Sequence, residues 1–170
     1  MAALLPIFQE IFPMLLPGPI SVSKATDIAP LPPSPAPGET TNRPRARVIN
    51  QDAVINKTDK MCATVLIVKP RSRTTIRHNA EQDAIIYAVS GTGVLLWIPN
   101  DEEVEEEEKP ERQIIEKGDF AFIPAWREHQ VLNESKDQDL HWVVIRSGPA
   151  PVEVDLLHWG GEVKDPPQQR

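Results

Sequence analysis

Histidine is the side chain in this sequence best suited to move a proton or hold a metal near neutral pH. His78 belongs to a polar run at residues 77–83 (RHNAEQD), and His129 belongs to a second polar group further along the chain. The first run also carries the other donor groups Arg77, Asn79, Glu81, Gln82 and Asp83. An imidazole beside a carboxylate can transfer a proton on a small organic substrate, and two imidazoles with an oxygen donor can bind a divalent metal. Both kinds of chemistry are open to this sequence.

The elements that must position these residues are short β-strands. From about residue 45, runs rich in Val, Ile, Thr and aromatic residues alternate with Gly, Pro, Asn and Asp turn signals. The predicted strands are 46–55, 61–69, 72–78, 84–90, 93–98, 112–116, 120–123, 128–133, 140–146 and 152–157. Ten short strands without a helical pattern between them predict an all-β sandwich or small barrel.

Proline separates this β-rich region from an N-terminal extension. Ten of the 18 prolines fall in residues 1–44, which we predict to be an irregular Pro-rich extension containing a short apolar helix. Such a helix would dock on the domain or on a second subunit, because its Leu, Ile and Phe side chains would otherwise be exposed. The barrel is predicted to span 45–162, with an acidic loop at 101–111, and a C-terminal tail follows at 163–170.

The charge of the chain is concentrated in that acidic loop. Residues 101–108 (DEEVEEEE) carry seven acidic and no basic side chains, which accounts for the whole formal charge of −7 among the 170 residues. The remaining, neutral body argues against a protein that binds nucleic acid without sequence preference. We interpret the acidic run as a solvated loop.

No apolar run reaches the ~18 uninterrupted residues that a membrane span requires, so we expect no membrane partner. The apolar N-terminus lacks the basic region of a secretory signal and is interrupted by prolines. The sequence therefore favours a cytoplasmic protein.

The segment 118–133 (GDFAFIPAWREHQVLN) carries a family resemblance. It resembles the second motif of the cupin superfamily, G-x5-P-x-G-x2-H-x3-N, through Gly118, Pro124, His129 and Asn133. The one departure is Trp126, which stands where the family usually has glycine.

The first cupin motif, G-x5-H-x-H-x3,4-E-x6-G, looks degraded in this sequence. Counting back from Gly91 places the family's glutamate at Ala84. The two spacings that the motif allows put its two histidines at different pairs of positions, His78 and Ala80 or Arg77 and Asn79. The run 77–83 also resembles the HHGEQD-type variant of small single-domain fungal cupins. The resemblance covers about residues 60–160.

This resemblance implies a single cupin barrel, an RmlC-like jelly roll or double-stranded β-helix, that holds Fe, Mn, Ni or Zn in many members. The catalytic residues implied here are His129, His78 and Glu81. The metal ligands expected are His78 and His129, with Gln82 as the third because it lies two residues before Ala84 on the same face, or Glu81 or Asp83 if the loop bends. The residues expected to contact substrate are Trp126, Gln82, Asp83, Arg77, Asn79, Asn133 and Trp142.

Three classes of function compete. The first is a metal-dependent enzyme such as a dioxygenase, which the missing first-motif glutamate weakens. The second is a metal-free isomerase, epimerase or cyclase that uses His129 and His78 as acid and base. The third is a barrel that binds a small molecule or a partner without catalysis, which the retained His129 and the polar run 77–83 weaken. In each case the expected ligand is a small, largely apolar organic molecule.

Open sheet edges and the apolar N-terminus also predict a homodimer. Residues 46–69 are the expected contact, with the N-terminal segment as the second candidate.

Overall fold

The computed structural model describes residues 19–28, 47–99 and 109–163. The predicted N-terminal helix, the acidic run 101–108 and most of the predicted tail lie outside these residues. The described elements, in chain order, are α1 (Ala25–Ile28), β1 (Val48–Val54), β2 (Met61–Val68), β3 (Ser72–Arg73), β4 (Ile76–His78), β5 (Ala84–Ser90), β6 (Gly93–Trp97), β7 (Glu111–Ile115), β8 (Phe120–Ile123), β9 (His129–Asn133), β10 (Leu140–Ser147) and β11 (Val154–Leu156).

The strands form two antiparallel sheets that face each other. The first sheet has the order β1-β2-β10-β5-β8, and the second has the order β11-β4-β9-β6-β7 with β3 paired to β9. This arrangement confirms the predicted all-β jelly-roll barrel. The predicted strand at 72–78 is interrupted at Thr74 and Thr75, so it forms the two short strands β3 and β4.

Strict alternation of side chains builds the core of the barrel. In β2, β5 and β10 every second residue is buried, because successive side chains of a strand point to opposite faces of the sheet. The buried positions are mostly apolar and meet those of the second sheet in one cluster: Leu66, Val68, Ala84, Ile86, Ala88, Leu95, Ile115, Ile123, Val131, Leu140, Trp142 and Val144.

The strands of the second sheet bring distant parts of the sequence into one row. Arg77 on β4 lies directly opposite His129 on β9, and His129 lies directly opposite Trp97 on β6. Residues that are directly opposite across two strands have side chains on the same face. The three inward positions are therefore neighbours inside the barrel.

The described residues before the barrel contact one edge of the first sheet. Helix α1 lies against β1, and the Ser23 hydroxyl donates a hydrogen bond to the carbonyl oxygen of Ala53. In the part of the chain that the structure describes, no helix has both the length and the hydropathy needed to cross a bilayer.

Gly93 tests how tightly the core is packed. A methyl group at this buried position would lie 2.6 Å from Cζ2 of Trp142 and 2.8 Å from Cδ2 of Leu140. Gly93→Ala should therefore lower the free energy of unfolding by about 1–3 kcal/mol. Urea denaturation checks this, with Thr92→Ala at the exposed neighbouring position as the control, expected to stay within about 0.5 kcal/mol. Equal stability of Gly93→Ala and wild type would contradict the packing.

Candidate functional site

His129 opens strand β9 inside the barrel and is only 5% exposed. Its Nδ1 lies 3.0 Å from the carbonyl oxygen of Arg127, which can only accept a hydrogen bond, so Nδ1 carries the proton. In the neutral ring Nε2 is then an unprotonated acceptor. Nε2 makes no hydrogen bond to any described residue, so its lone pair is available to a ligand.

His129 is held neutral by its surroundings. The pKa of His129 is lowered to about 4. Burial is the largest cause and the charges of Arg77 and Arg146 act in the same direction, whereas the hydrogen bond to the Arg127 carbonyl raises the pKa. At neutral pH the imidazole is therefore almost entirely in its neutral form.

A cavity of about 340 Å³ opens beside His129. Its walls come from strands β6, β7 and β8 and from the turn before β9. The lining residues are Leu95, Trp97, Gln113, Ile115, Phe120, Ala121, Phe122, Ile123, Pro124, Arg127 and His129. Most of this surface is apolar and much of it aromatic, with few polar groups among the lining residues. This is the usual composition of a pocket for a small organic molecule.

Two buried arginines lie behind His129 and share one carboxylate. Arg77 and Arg146 are 6% and 5% exposed as side chains, and each forms an ion pair with a different oxygen of Glu153. Arg146 also donates to Thr64 Oγ1 at 2.9 Å and, through Nε, to Asn79 Oδ1 at 3.4 Å. Burial of two cations is tolerated only when they are paired and hydrogen-bonded. We call Arg77, Arg146 and Glu153 the interior ion cluster.

The interior ion cluster depends on Gln82. The Gln82 amide donates to the carbonyl oxygens of Ser147 and Ala150 at 2.5 and 2.9 Å and accepts from the Val152 amide at 2.7 Å. These bonds fix the segment that carries Glu153 onto the barrel. Both ends of the amide are occupied, so Gln82 as placed here is a positioning residue for Glu153.

The register of strand β4 decides which first-motif positions face inward. Arg77 and Asn79 are buried, as is Ala84, whereas His78 between them is half-buried. His78 Nδ1 accepts a hydrogen bond from the Ala80 amide at 3.0 Å, and its ring packs on Trp126 with centroids 5.4 Å apart. The inward set that corresponds to the motif's two histidines and glutamate is thus Arg77, Asn79 and Ala84.

The acidic residues of the run 77–83 lie at the surface. Glu81 is exposed and makes no hydrogen bond or ion pair with other described residues. Asp83 is also exposed, and its Oδ1 accepts from the Ala125 amide at 2.9 Å, which holds the turn that carries Trp126. Among the described residues, neither carboxylate forms a hydrogen bond or ion pair with His129.

The other residues expected to contact substrate are spread over three environments. Trp126 is 63% exposed and adopts a φ of 63°, a left-handed conformation that explains why the family prefers glycine there. Trp142 is fully buried in the core, and its indole N–H has no hydrogen-bond partner among the described residues. Asn133 is buried and braces a turn through Val68, Ser135 and Gln138.

The inward residues do not fit a metal ion of the kind that the resemblance implies. His129 is the one imidazole among them, Asn79 Oδ1 lies near a guanidinium, and two cations lie close by. Divalent metals at imidazole sites prefer further imidazoles and carboxylates. Within the described ranges, no group of three or more His, Cys, Asp or Glu side chains could hold a metal.

Two of the residues that line the cavity, Trp97 and Arg127, are not among the site residues expected from the sequence. Trp97 reaches the site because β6 pairs with β9 in a register that sets it opposite His129. Arg127 lies two residues before His129, and its Nη1 donates to the Ile98 carbonyl oxygen at 2.9 Å. Arg127 could have been identified from the sequence because it lies two residues before His129. The position of Trp97 in the site could be recognised only from the pairing of β6 with β9.

Comparisons with known proteins agree with this fold. The family model described as "Cupin domain" matches residues 64–146. No curated protein sequence matches the chain with significant similarity.

Solved structures are similar at low sequence identity. A mutant of Bacillus subtilis oxalate decarboxylase aligns at 15% identity and a TM-score of 0.55, over 65% of this chain and 28% of that one. A Klebsiella pneumoniae protein with a double-stranded β-helix domain aligns at 12% identity and a TM-score of 0.52, over 66% of this chain and 83% of that one. The vicilin of Solanum melongena aligns at 16% identity and a TM-score of 0.54, over 65% of this chain and 30% of that one.

These similarities show the fold. This chain spans less than a third of the oxalate decarboxylase and vicilin chains that it matches. Another structure of the decarboxylase concerns the Mn(II) centres of that enzyme, so the fold holds a metal in that relative.

Glu153 provides a direct test of the interior ion cluster. Glu153→Gln leaves Arg77 and Arg146 without their shared charge and should lower the free energy of unfolding by roughly 3 kcal/mol. Urea denaturation measures the loss. The control is Glu134→Gln, which breaks an exposed pair with Arg112 and should cost less than about 1 kcal/mol. Equal losses in the two variants would contradict the buried pairing.

The lowered pKa of His129 predicts that the folded protein loses stability as the pH falls. A histidine with a pKa near 6.5 when unfolded and about 4 when folded takes up its proton earlier in the unfolded state, so stability is lost as pH falls from 6.5 towards 4. His129→Gln should remove this component, which amounts to roughly 2–3 kcal/mol between pH 7 and pH 4.5. Denaturation curves of both proteins at the two pH values measure the difference. If wild type and His129→Gln lost the same stability between the two pH values, His129 would have an ordinary pKa.

Proposed function

Because this chain belongs to the cupin superfamily and an apolar cavity opens into its barrel beside His129, we propose that it binds a small, largely apolar organic molecule. The ligand lies against the aromatic wall of the cavity and donates a hydrogen bond to Nε2 of His129. The observation that carries the proposal is the neutral, buried imidazole whose Nε2 is unpaired among the described residues and which lines that cavity.

The shape and polarity of the cavity support this class of ligand. Trp97 and the edge strand β8 supply flat apolar surface, and burial of such surface is the main source of affinity for small organic molecules. His129 is the buried polar group of the lining, so it fixes the orientation of the ligand.

The charge behind His129 supports a ligand with an acidic hydroxyl, such as a phenol or an enol. The charges of Arg77 and Arg146 act on His129, and they would equally stabilise negative charge that develops on a donor oxygen beside it. In the related structures, oxalate decarboxylase is named for an acidic substrate and vicilin contains anionic ligands in structurally similar pockets.

Proton transfer is the second candidate, as in an isomerase, epimerase or cyclase. The unpaired Nε2 would take a proton from one atom of the substrate and return it to another, with Nδ1 held by the Arg127 carbonyl. A pKa of about 4 makes His129 a weak base at neutral pH, so binding is the better supported function. Metal-dependent oxygenation is less well supported, because the inward residues do not fit the ion.

A pair of matched probes tests the proposal. 2-Naphthol can donate a hydrogen bond to His129, whereas 2-methoxynaphthalene has nearly the same apolar surface and no donor. At pH 7 the protein should bind 2-naphthol more tightly by roughly two- to tenfold, the value of one neutral hydrogen bond. Isothermal titration calorimetry or tryptophan fluorescence measures both dissociation constants.

Two variants make this test specific. His129→Leu should bind both probes with equal affinity, while His141→Leu, at a partly exposed position outside the cavity, should keep the preference of the wild type. Circular dichroism confirms that both variants are folded. The proposal would be contradicted if the wild type bound neither probe, or if His129→Leu still preferred 2-naphthol.

A further inference from the structure

The outer face of the first sheet is unusually apolar. Two rows of directly opposed residues cross strands β2, β10, β5 and β8. The first row is Ala63, Ile145, Ile85 and Phe122, and the second row is Val65, Val143, Tyr87 and Phe120. All eight residues are apolar or aromatic. We call these two rows the outer apolar face.

Much of the outer apolar face is exposed to solvent among the described residues. Phe120 and Phe122 on the edge strand β8 are 68% and 62% exposed, and Ile85, Tyr87 and Ile145 are also exposed. The rings of Tyr87 and Phe120 pack together with centroids 4.7 Å apart, so the side chains form one continuous surface. Contiguous apolar surface of this kind marks an interaction site in a soluble protein.

The N-terminal end of the described chain lies at the opposite edge of the same sheet. The Ser23 hydroxyl donates a hydrogen bond to the carbonyl oxygen of Ala53 in β1, and Ile20 and Val22 just before it are exposed. Residues 1–18 precede this point and include eight large apolar side chains: Leu4, Leu5, Ile7, Phe8, Ile11, Phe12, Leu15 and Leu16.

The length of this segment is sufficient to cross the sheet. Four strand spacings separate β1 from β8, which is about 19 Å at the usual 4.8 Å per spacing. Eighteen residues span about 27 Å even as an α-helix and more when extended.

We propose that residues 1–18 of the same chain dock on the outer apolar face. Their apolar side chains cover Phe120, Phe122 and the two rows behind them. The chain's own segment is favoured over a second copy because it is tethered at the edge of the sheet, where its effective concentration is about millimolar.

Paramagnetic relaxation in the full-length chain tests this directly. A nitroxide is attached at Ala2→Cys in a Cys62→Ala background, and the amide signals of the nitrogen-15-labelled protein are compared before and after reduction of the label. We expect loss of intensity at Phe120, Phe122 and Tyr87. The signals of Arg73 and Leu132 in the second sheet should be unaffected. Unchanged signals across the outer apolar face would overturn the proposal.

A mixed sample distinguishes docking of the chain's own N-terminal segment from docking of a second copy. Isotope-labelled protein without nitroxide is mixed with unlabelled protein that carries it, so that only contacts between molecules cause broadening. We expect no loss of intensity at Phe120 or Phe122. Loss in this sample equal to that in the singly labelled protein would assign the face to a second copy and overturn the proposal.

Substitutions in the segment supply a second readout. In the full-length chain, Phe8→Ser combined with Phe12→Ser should abolish the relaxation effect and increase the fluorescence of a dye that binds exposed apolar surface. Gln9→Ser changes a polar position of the same segment and should behave like the wild type. A relaxation effect that persists in the double variant would contradict docking through these apolar side chains.

Discussion

The Glu153 carboxylate between Arg77 and Arg146 is the interaction on which the interior of this barrel depends. Two guanidinium groups inside a barrel repel each other and lose their hydration, and one carboxylate that contacts both offsets these costs. Strands β4 and β10 supply the arginines, and Gln82 holds the segment that supplies Glu153. The positive charge that remains helps to keep His129 neutral.

The consequence is a cupin interior with a different chemistry from the metal-binding one. Arg77, Asn79 and Ala84 occupy the inward positions where the first motif has two histidines and a glutamate, and His129 remains from the second motif. A neutral imidazole, with one nitrogen that is unpaired among the described residues, then faces an apolar cavity. Under the proposed function, such a site would recognise a hydrogen-bond donor on an apolar ligand.

The sequence predicted the strands and the fold because alternation and turn residues are local signals that the barrel preserves. His129 could be recognised from its motif, but the partners around it could not. Glu153 lies outside both motifs and reaches Arg77 only through the pairing of β4 with β11. A shift of one residue along β4 exchanges His78 for Arg77 at the inward face, and the motif spacing alone leaves that shift undetermined. Trp97 likewise depends on the register between β6 and β9.

The most direct test of this account is the protonation state of His129, observed through its ring nitrogens by proton–nitrogen correlation spectroscopy across a pH titration. We predict that Nδ1 is protonated and Nε2 is not, that this pattern persists down to a pKa of about 4, and that 2-naphthol shifts the Nε2 resonance. Titration near the ordinary pKa of 6.5, or a proton on Nε2 at neutral pH, would contradict the account.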